Sequence, residues 1–271
     1  MKNHFLTFAN TGYMNTDRLA NQVKELNLFE NIFQLNETHI SGYLQRHCEF
    51  VKLNSPGYGL FIWKPKIIHD ALLSLPDGDI LLYADAGVYI NINGKDRLFN
   101  YFEKLQTKDM VVFSANNSYK ARSFVKNDAI MSYYPEFHNF PHRNKNACYA
   151  GLMMIKKTRQ SLSLIKDWLN LCENYHFIDN SPSMSYNEHE SFVGQDSDNG
   201  LFNLCLCKHR NIVCAIAPDE VNVYIGELQA HHVIKKVNGK YNTEIIDWSV
   251  LNDVPFHLKR LTPKFGEDTQ L

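Results

Sequence analysis

Gly78-Asp79-Ile80-Leu81-Leu82-Tyr83-Ala84-Asp85-Ala86-Gly87 is the stretch on which the fold turns. Its middle is a continuous apolar run with no polar alternation, which predicts a strand covered on both faces, as in parallel sheets. Pro76-Asp77-Gly78-Asp79 supplies the turn that leads into it. The run stops abruptly at Asp85, and Gly87 lets a ligand or another backbone come close. A carboxylate there lies where open α/β sheets bind their ligands, beyond the carboxyl ends of the strands. The competing reading of Asp85 is a turn residue that simply closes a strand.

Upstream, residues 5–9 read as a first strand. Asn15 or Thr16 is placed to cap a helix in which Leu19, Val23 and Leu26 recur at helical spacing, and residues 31–35 read as a second strand. This strand–helix–strand order is that of parallel α/β folds. Next comes Asn54-Ser55-Pro56-Gly57-Tyr58-Gly59-Leu60-Phe61-Ile62-Trp63-Lys64-Pro65, a loop punctuated by Gly and Pro and rich in aromatics. It runs into a helix predicted over 66–73, with Pro65 at a favoured first position. Downstream, the pattern predicts helices over 96–105, 158–172 and 199–208, and strands over 110–115, 149–155 and 212–217. The tail from Pro218 is less regular, and neither a repeat nor a linker forces a domain boundary.

The chain has 271 residues and a formal net charge of −1, with 44% hydrophobic and 21% charged residues. That composition suits one folded domain with a substantial core, and neither a disordered tail nor a membrane protein. Near-neutral charge argues against nucleic acid as a partner, since such affinity rests on a basic excess. The six cysteines form no C-x-x-C pair and read as buried free thiols. The start lacks the apolar run of a signal peptide, and no stretch approaches the roughly 20 apolar residues of a membrane span. The expectation is a soluble, cytoplasmic protein. Lys235, Lys236, Lys259, Arg260 and Lys264 in the tail form either a solvated face or a peripheral contact with the inner face of a membrane.

Beyond Asp85, two groups of residues could carry chemistry. Asp196-Ser197-Asp198-Asn199, followed by Asn203, gathers carboxylates and amides at a predicted helix start. They read as capping groups, or as groups that hydrogen-bond sugar hydroxyls and face an electron-poor carbon. His231, His232 and His257, the last followed by Lys259 and Arg260, suit a diphosphate or a metal, although adjacent histidines are more often a surface pair. The chain contains no Walker-type loop, no G-x-G-x-x-G, no G-x-S-x-G and no H-E-x-x-H.

Taken together, Gly57-Tyr58-Gly59-Leu60-Phe61-Ile62-Trp63-Lys64-Pro65 and the 78–87 stretch resemble a family of GT-A-fold glycosyltransferases from bacterial capsule and lipopolysaccharide clusters and large DNA viruses. The family pattern is a G-Y-G-Y-W-x-W-K-P loop followed by G-D-x-x-x-Y-x-D-A-G. Val125-Lys126-Asn127-Asp128 is similar to the family's T-K-R-D block. Tyr149-Ala150-Gly151 and Trp168 fall where relatives have an A-G strand and a Trp in the next helix. Residues 178–183 resemble a D-D-x-P-S segment, and Asp198-Asn199 through Asn203 falls on a D-Q-type helix. The chain departs from the pattern, and Gly194 or Gln195 falls near its expected His-Arg. Gly87 stands where a D-x-D metal motif has its second Asp, Asn199 replaces Gln, and Ser55-Pro56 replaces an Arg.

The resemblance implies an α/β, GT-A single domain with a mixed, mostly parallel central sheet. Residues 1–217 would form its core, and residues 218–271 an extension completing the site. It implies a nucleotide-sugar donor, expected to be a UDP-sugar, and a glycan or lipid-linked oligosaccharide acceptor in surface polysaccharide synthesis. Asp198, Asn199 and Asp196 would sit near the reacting carbon. Thr7, Phe8, Ala9, Asn10, Tyr58, Trp63, Lys64, Tyr83, Ala84, Asp85, Ala86, Gly87, Lys126, His257 and Lys259 would bind the donor. Asp85 would hold Mn²⁺ or Mg²⁺, with His231, His232 or His257 as a further ligand. The D-Q-type helix favours retention of anomeric configuration. Two other classes compete: a nucleotide-sugar or glycan-binding protein without transfer activity, suggested by Gly87, and a nucleotidyltransferase. The second is disfavoured because the loop after the first strand offers only one Gly and no basic residue.

Overall fold

Residues 80–84 lie wholly buried at the middle of a six-stranded sheet. The computed structural model describes residues 1–12, 15–115, 119–139, 145–217, 221–222, 234–237, 240–246 and 255–258. Within these the strands are β1 (Asn3–Phe8), β2 (Asn31–Leu35), β3 (Ile80–Ala84), β4 (Val88–Ile90), β5 (Met110–Ser114) and β6 (Cys148–Lys156). They are followed by β7 (Val213–Ile216), β8 (Val221–Asn222), β9 (Ile234–Val237), β10 (Lys240–Ile246) and β11 (Phe256–Leu258). The main sheet has the order β2-β1-β3-β6-β5-β7. β1 runs parallel to β2 and β3, and β5 to β7, while β6 is antiparallel to both its neighbours. The sheet is therefore mixed and mostly parallel. The reversal at β6 was not legible beforehand, because an apolar run covered on both faces carries no direction.

Strand periodicity sorts the core into two layers. Leu81 and Tyr83 point to one face, where Leu6, Phe8, Met153 and Ile155 meet helices Trp63–Ser74, Arg159–Cys172 and Ser197–Lys208. Ile80, Leu82 and Ala84 point to the other, packed with Phe5, Met154 and the helices Asp17–Leu26 and Lys95–Lys104. Each buried Leu, Ile or Phe stabilises by about 1.5–3 kcal/mol relative to exposure, so both layers are needed to order β3. The helix expected over 66–73 spans Trp63–Ser74, with Pro65 in its first turn. The first four N–H groups of a helix have no intrahelical partner, so the missing donor is harmless there. The late helix likewise begins at Ser197, two residues before Asn199. All six cysteines are free thiols, and burial pushes that of Cys148 up to about 12.

Among the described residues, the loop ahead of Trp63 holds the longest run of positive φ. Gly57, Tyr58, Gly59, Leu60 and Phe61 have φ of 61°, 54°, 86°, 54° and 63°. Leu60 N donates to Pro56 O at 2.9 Å and Phe61 N to Gly57 O at 3.0 Å, which makes one left-handed helical turn. Such a turn costs about 1–2 kcal/mol for each residue that carries a Cβ. Surrounding contacts offset that cost: Gly59 N donates to Asn54 O at 2.8 Å, Trp63 Nε1 donates to Gly57 O at 3.1 Å, and Leu60 and Ile62 are buried.

Residues late in the chain pack beside the 85–87 loop. β11 is antiparallel to β4, which begins directly after Gly87, and parallel to β8. Phe256 is buried against Tyr101 and Phe113.

A Cβ at position 59 would lie 2.8 Å from Val51 Cγ2 on a backbone of positive φ, whereas one at Gly42 meets nothing within 4 Å. Gly59→Ala should therefore lower stability in urea by about 1–3 kcal/mol. Gly42→Ala, inside the helix Ser41–Arg46, should leave stability unchanged or raise it by up to about 1 kcal/mol. Equal midpoints for the two variants would remove the steric basis assigned to the turn.

Candidate active site

Two-residue periodicity carries the Leu81/Tyr83 face one step beyond β3, so Asp85 emerges on the side covered by helices Trp63–Ser74 and Ser197–Lys208. Each helix brings a charged group from its first turn. Lys64 Nζ lies 3.2 Å from Asp85 Oδ1, 3.3 Å from Asp85 Oδ2 and 3.5 Å from Asp198 Oδ2. The Tyr83 hydroxyl donates to Asp85 Oδ1 at 2.6 Å. Lys64 and Asp198 are buried, while the Asp85 side chain is 39% exposed and faces the cleft. Gly151 on β6 makes room for it: a Cβ there would stand 2.5 Å from Asp85 Oδ2.

These groups floor a cleft of about 640 Å³. One wall is aromatic and apolar. Phe8 stacks on Trp63 with centroids 4.0 Å apart, and Pro56, together with Tyr58 and Phe61 of the left-handed turn, continues the wall. Ala9, Asn10, Ala86 and Gly87 line the end where β1 and β3 stop. The opposite side is formed by Tyr149, Ala150, Gly151 and the start of helix Ser197–Lys208. There Asn199 accepts from Ala150 N at 2.8 Å and donates to Asp196 Oδ2 at 2.6 Å, and the same oxygen accepts from the Tyr119 hydroxyl. Asn203 closes the helix onto β6 by pairing with both N and O of Cys148. Trp168 Nε1 donates to the Asp198 carbonyl at 2.9 Å.

The charges here are unequal in number, with Asp85, Asp196 and Asp198 facing one buried ammonium. Burial pushes the Asp198 carboxyl up to about 7, assisted by the neighbouring Asp85 and Asp196 charges and opposed by Lys64. Burial would lower Lys64, but Asp198 and Asp85 outweigh it and hold the ammonium above its usual range. Asp198, the most enclosed carboxyl, is thus the member of the cluster that takes up a proton near neutrality.

The structure brings together Phe8, Ala9, Asn10, Tyr58, Trp63, Lys64, Asp85, Ala86, Gly87, Asp196, Asp198 and Asn199 along one cleft. Four expected donor residues lie elsewhere among the described residues. Lys126 is spent in a separate polar network, with Nζ 2.7 Å from Asp179 Oδ1 and 3.1 Å from Ser181 Oγ. Thr7 and Ala84 are interior to the sheet, with no surface on the cleft. His257 is buried on β11 opposite Tyr89 and does not line the cleft either. Tyr83 acts from beneath, through Asp85. Lys259, His231 and His232 lie outside the described residues. Sequence reasoning missed the site roles of Gly151 and Tyr119. A glycine inside the apolar 149–155 strand was a signal for close approach, whereas nothing near Tyr119 marks it.

Comparison with solved structures bears on the fold. The chain is similar to a glycosyltransferase involved in glycosylation of the major capsid of PBCV-1, with TM-score 0.50, 12% identity, and coverage of 95% of this chain and 92% of that one. It is also similar to mouse xyloside xylosyltransferase 1, with TM-score 0.46, 10% identity, and coverage of 97% and 100%. At such identities the first likeness establishes the fold alone, which is GT-A, and the second adds no argument. No family model matches the chain, and a search of curated proteins finds no significant match.

The Asp198 carboxyl binds a proton in the fold up to about 7, against an ordinary 3.8. Between those values the native state holds more proton than the unfolded chain, so stability is greatest at the acid end and falls as pH rises through about 7. Asp198→Asn should flatten that decline while leaving stability near pH 4 little changed. Urea unfolding of both proteins at intervals from pH 4 to 8 checks this, and parallel curves would remove Asp198 as the titrating group.

Proposed function

We propose that this chain is a nucleotide-sugar-dependent glycosyltransferase. The observation that carries the reading is the cleft at the ends of β1 and β3 in a GT-A fold. It has an aromatic wall on one side, carboxylates and a fixed amide on the other, and a buried ammonium beneath. A volume of about 640 Å³ lies within the usual range for small-molecule sites. A cleft of this composition suits a ligand with a flat or apolar ring face, a charged diphosphate and several hydroxyls.

The donor is proposed to be a UDP-sugar and the acceptor a glycan or lipid-linked oligosaccharide of a surface polysaccharide, as the sequence resemblance implies. Phe8, Trp63 and Tyr58 would take the nucleoside and sugar rings. Lys64 would face the diphosphate, and Asn199, with Asp196, the sugar hydroxyls and anomeric carbon. Cleavage of the C1–O bond leaves its electron pair on the diphosphate and positive charge on the ring. Catalysis is then chiefly electrostatic, with fixed charges and dipoles aimed at both. Asp196 is tied through one oxygen to Tyr119 and Asn199, and Asp198 is enclosed behind Lys64. Both therefore orient neighbours better than they serve as an exposed base for the acceptor, which supports retention. No helix among the described residues is long and apolar enough to cross a membrane. A cytoplasmic place, with peripheral contact through tail lysines, is part of the proposal.

Incubation with a panel of nucleotide sugars, followed by assay of released nucleotide, tests the reading. Turnover of a UDP-sugar is expected, with Asp85→Ala and Asn199→Ala each slower by about 10²–10³. Retention predicts an unchanged anomeric configuration in the NMR spectrum of the product. Gly87, in place of a second metal-motif carboxylate, favours a second reading, a nucleotide-sugar-binding protein without turnover. Saturable donor binding with no nucleotide release would select it.

A further inference from the structure

The sequence resemblance implies a divalent ion at Asp85, and the described residues do not fit one. Both Asp85 oxygens are already engaged: Oδ1 by the Tyr83 hydroxyl at 2.6 Å and Lys64 Nζ at 3.2 Å, Oδ2 by Lys64 Nζ at 3.3 Å. Oδ2 is also packed against Gly151, where even a Cβ would come within 2.5 Å. A Mg²⁺ ion at its usual distance of about 2.0–2.1 Å from either oxygen would share that oxygen with an ammonium directly beside it. The position that would supply a second carboxylate is Gly87, and no group of three His, Cys, Asp or Glu side chains among the described residues could hold a metal. His257 offers nothing to the cleft, being buried on β11.

We propose that Lys64 is the cation of this site: its ammonium meets the donor's diphosphate, and donor binding needs no divalent ion. The inference rests on the nucleotide-sugar reading and adds to it which group neutralises the leaving diphosphate. Lys64 is suited to the task because it is anchored at the edge of the cleft. Two contacts to Asp85 hold the ammonium at the cleft floor, and the residue lines the cleft although its side chain is only 4% exposed. All three contacts exceed the roughly 2.7–2.9 Å of a strong charge-assisted hydrogen bond, and the one to Asp198 is the longest at 3.5 Å, with Asp198 Oδ2 left without a hydrogen bond. The N–H on that side is the donor free to turn to a phosphate oxygen without breaking the Asp85 anchor. A point charge on a flexible stem, rather than a planar guanidinium, makes this small turn possible.

The test is binding of UDP, GDP, CDP and ADP to the full chain by calorimetry, in EDTA and again with excess Mn²⁺. We expect one nucleoside diphosphate to bind in EDTA, with a Kd that Mn²⁺ changes by less than about tenfold. Lys64→Met should weaken that binding by about tenfold or more in both conditions, and Lys64→Arg should recover part of the loss. The wild-type comparison needs no variant and stands even where Lys64→Met fails to fold. Binding that requires Mn²⁺, or that Mn²⁺ tightens tenfold or more, overturns the proposal, as does a folded Lys64→Met that binds like wild type. If no nucleoside diphosphate binds in either condition, the nucleotide-sugar reading itself fails, and the inference with it.

Discussion

One buried ammonium joins the three elements that make the site. Lys64 comes from the first turn of helix Trp63–Ser74, Asp85 from the end of β3, and Asp198 from the first turn of helix Ser197–Lys208. Removing charges from water is expensive, and an enclosed ion pair survives only where further hydrogen bonds and packing complete it. Here the Tyr83 hydroxyl completes Asp85, while the indole of Trp168 holds the backbone carbonyl of Asp198 in place. With two carboxyls sharing one cation, the cluster cannot be fully charged at no cost. The cost falls on Asp198, the more enclosed of the two, whose proton affinity rises accordingly.

Much of the surrounding backbone is shaped to let this cluster form. The left-handed turn over residues 57–61 delivers Trp63 and Lys64 to the cleft and lays its own aromatics along the wall. Glycine at 57 and 59 is required because Phe61 and Val51 occupy the space their side chains would need. Gly151 performs the same service for Asp85 from the neighbouring strand. Strain and missing side chains thus gather at the cleft, while both layers of the core are packed from ordinary aliphatic and aromatic residues. Strain of this kind persists only when well-packed surroundings determine it.

The elements were legible where periodicity was strong. β3 is wholly buried over the residues its apolar run predicts, and Leu19, Val23 and Leu26 are buried on one helix as their spacing requires. Asp85 was legible as a site residue because it interrupts a buried strand at its carboxyl end. Lys126 was not, since its block in the sequence says nothing about Asp179 and Ser181, residues far along the chain that absorb its charge. Tyr119 was equally hidden: its hydroxyl reaches Asp196 across 77 positions of sequence.

The sequence by itself determined the covered central strand, the carboxylate at its end, the aromatic loop before Lys64 and the cluster of Asp and Asn at the late helix. These are set by local pattern and by residue chemistry, which do not depend on what lies across the fold. Only the tertiary structure decided that β6 runs against its neighbours, that residues 57–61 wind left-handed, and that Lys64 stands between Asp85 and Asp198. The first and the last depend on contacts between segments distant in the chain, and the left-handed turn on burial and on hydrogen bonds to Asn54 and Trp63 that outweigh the backbone's own preference.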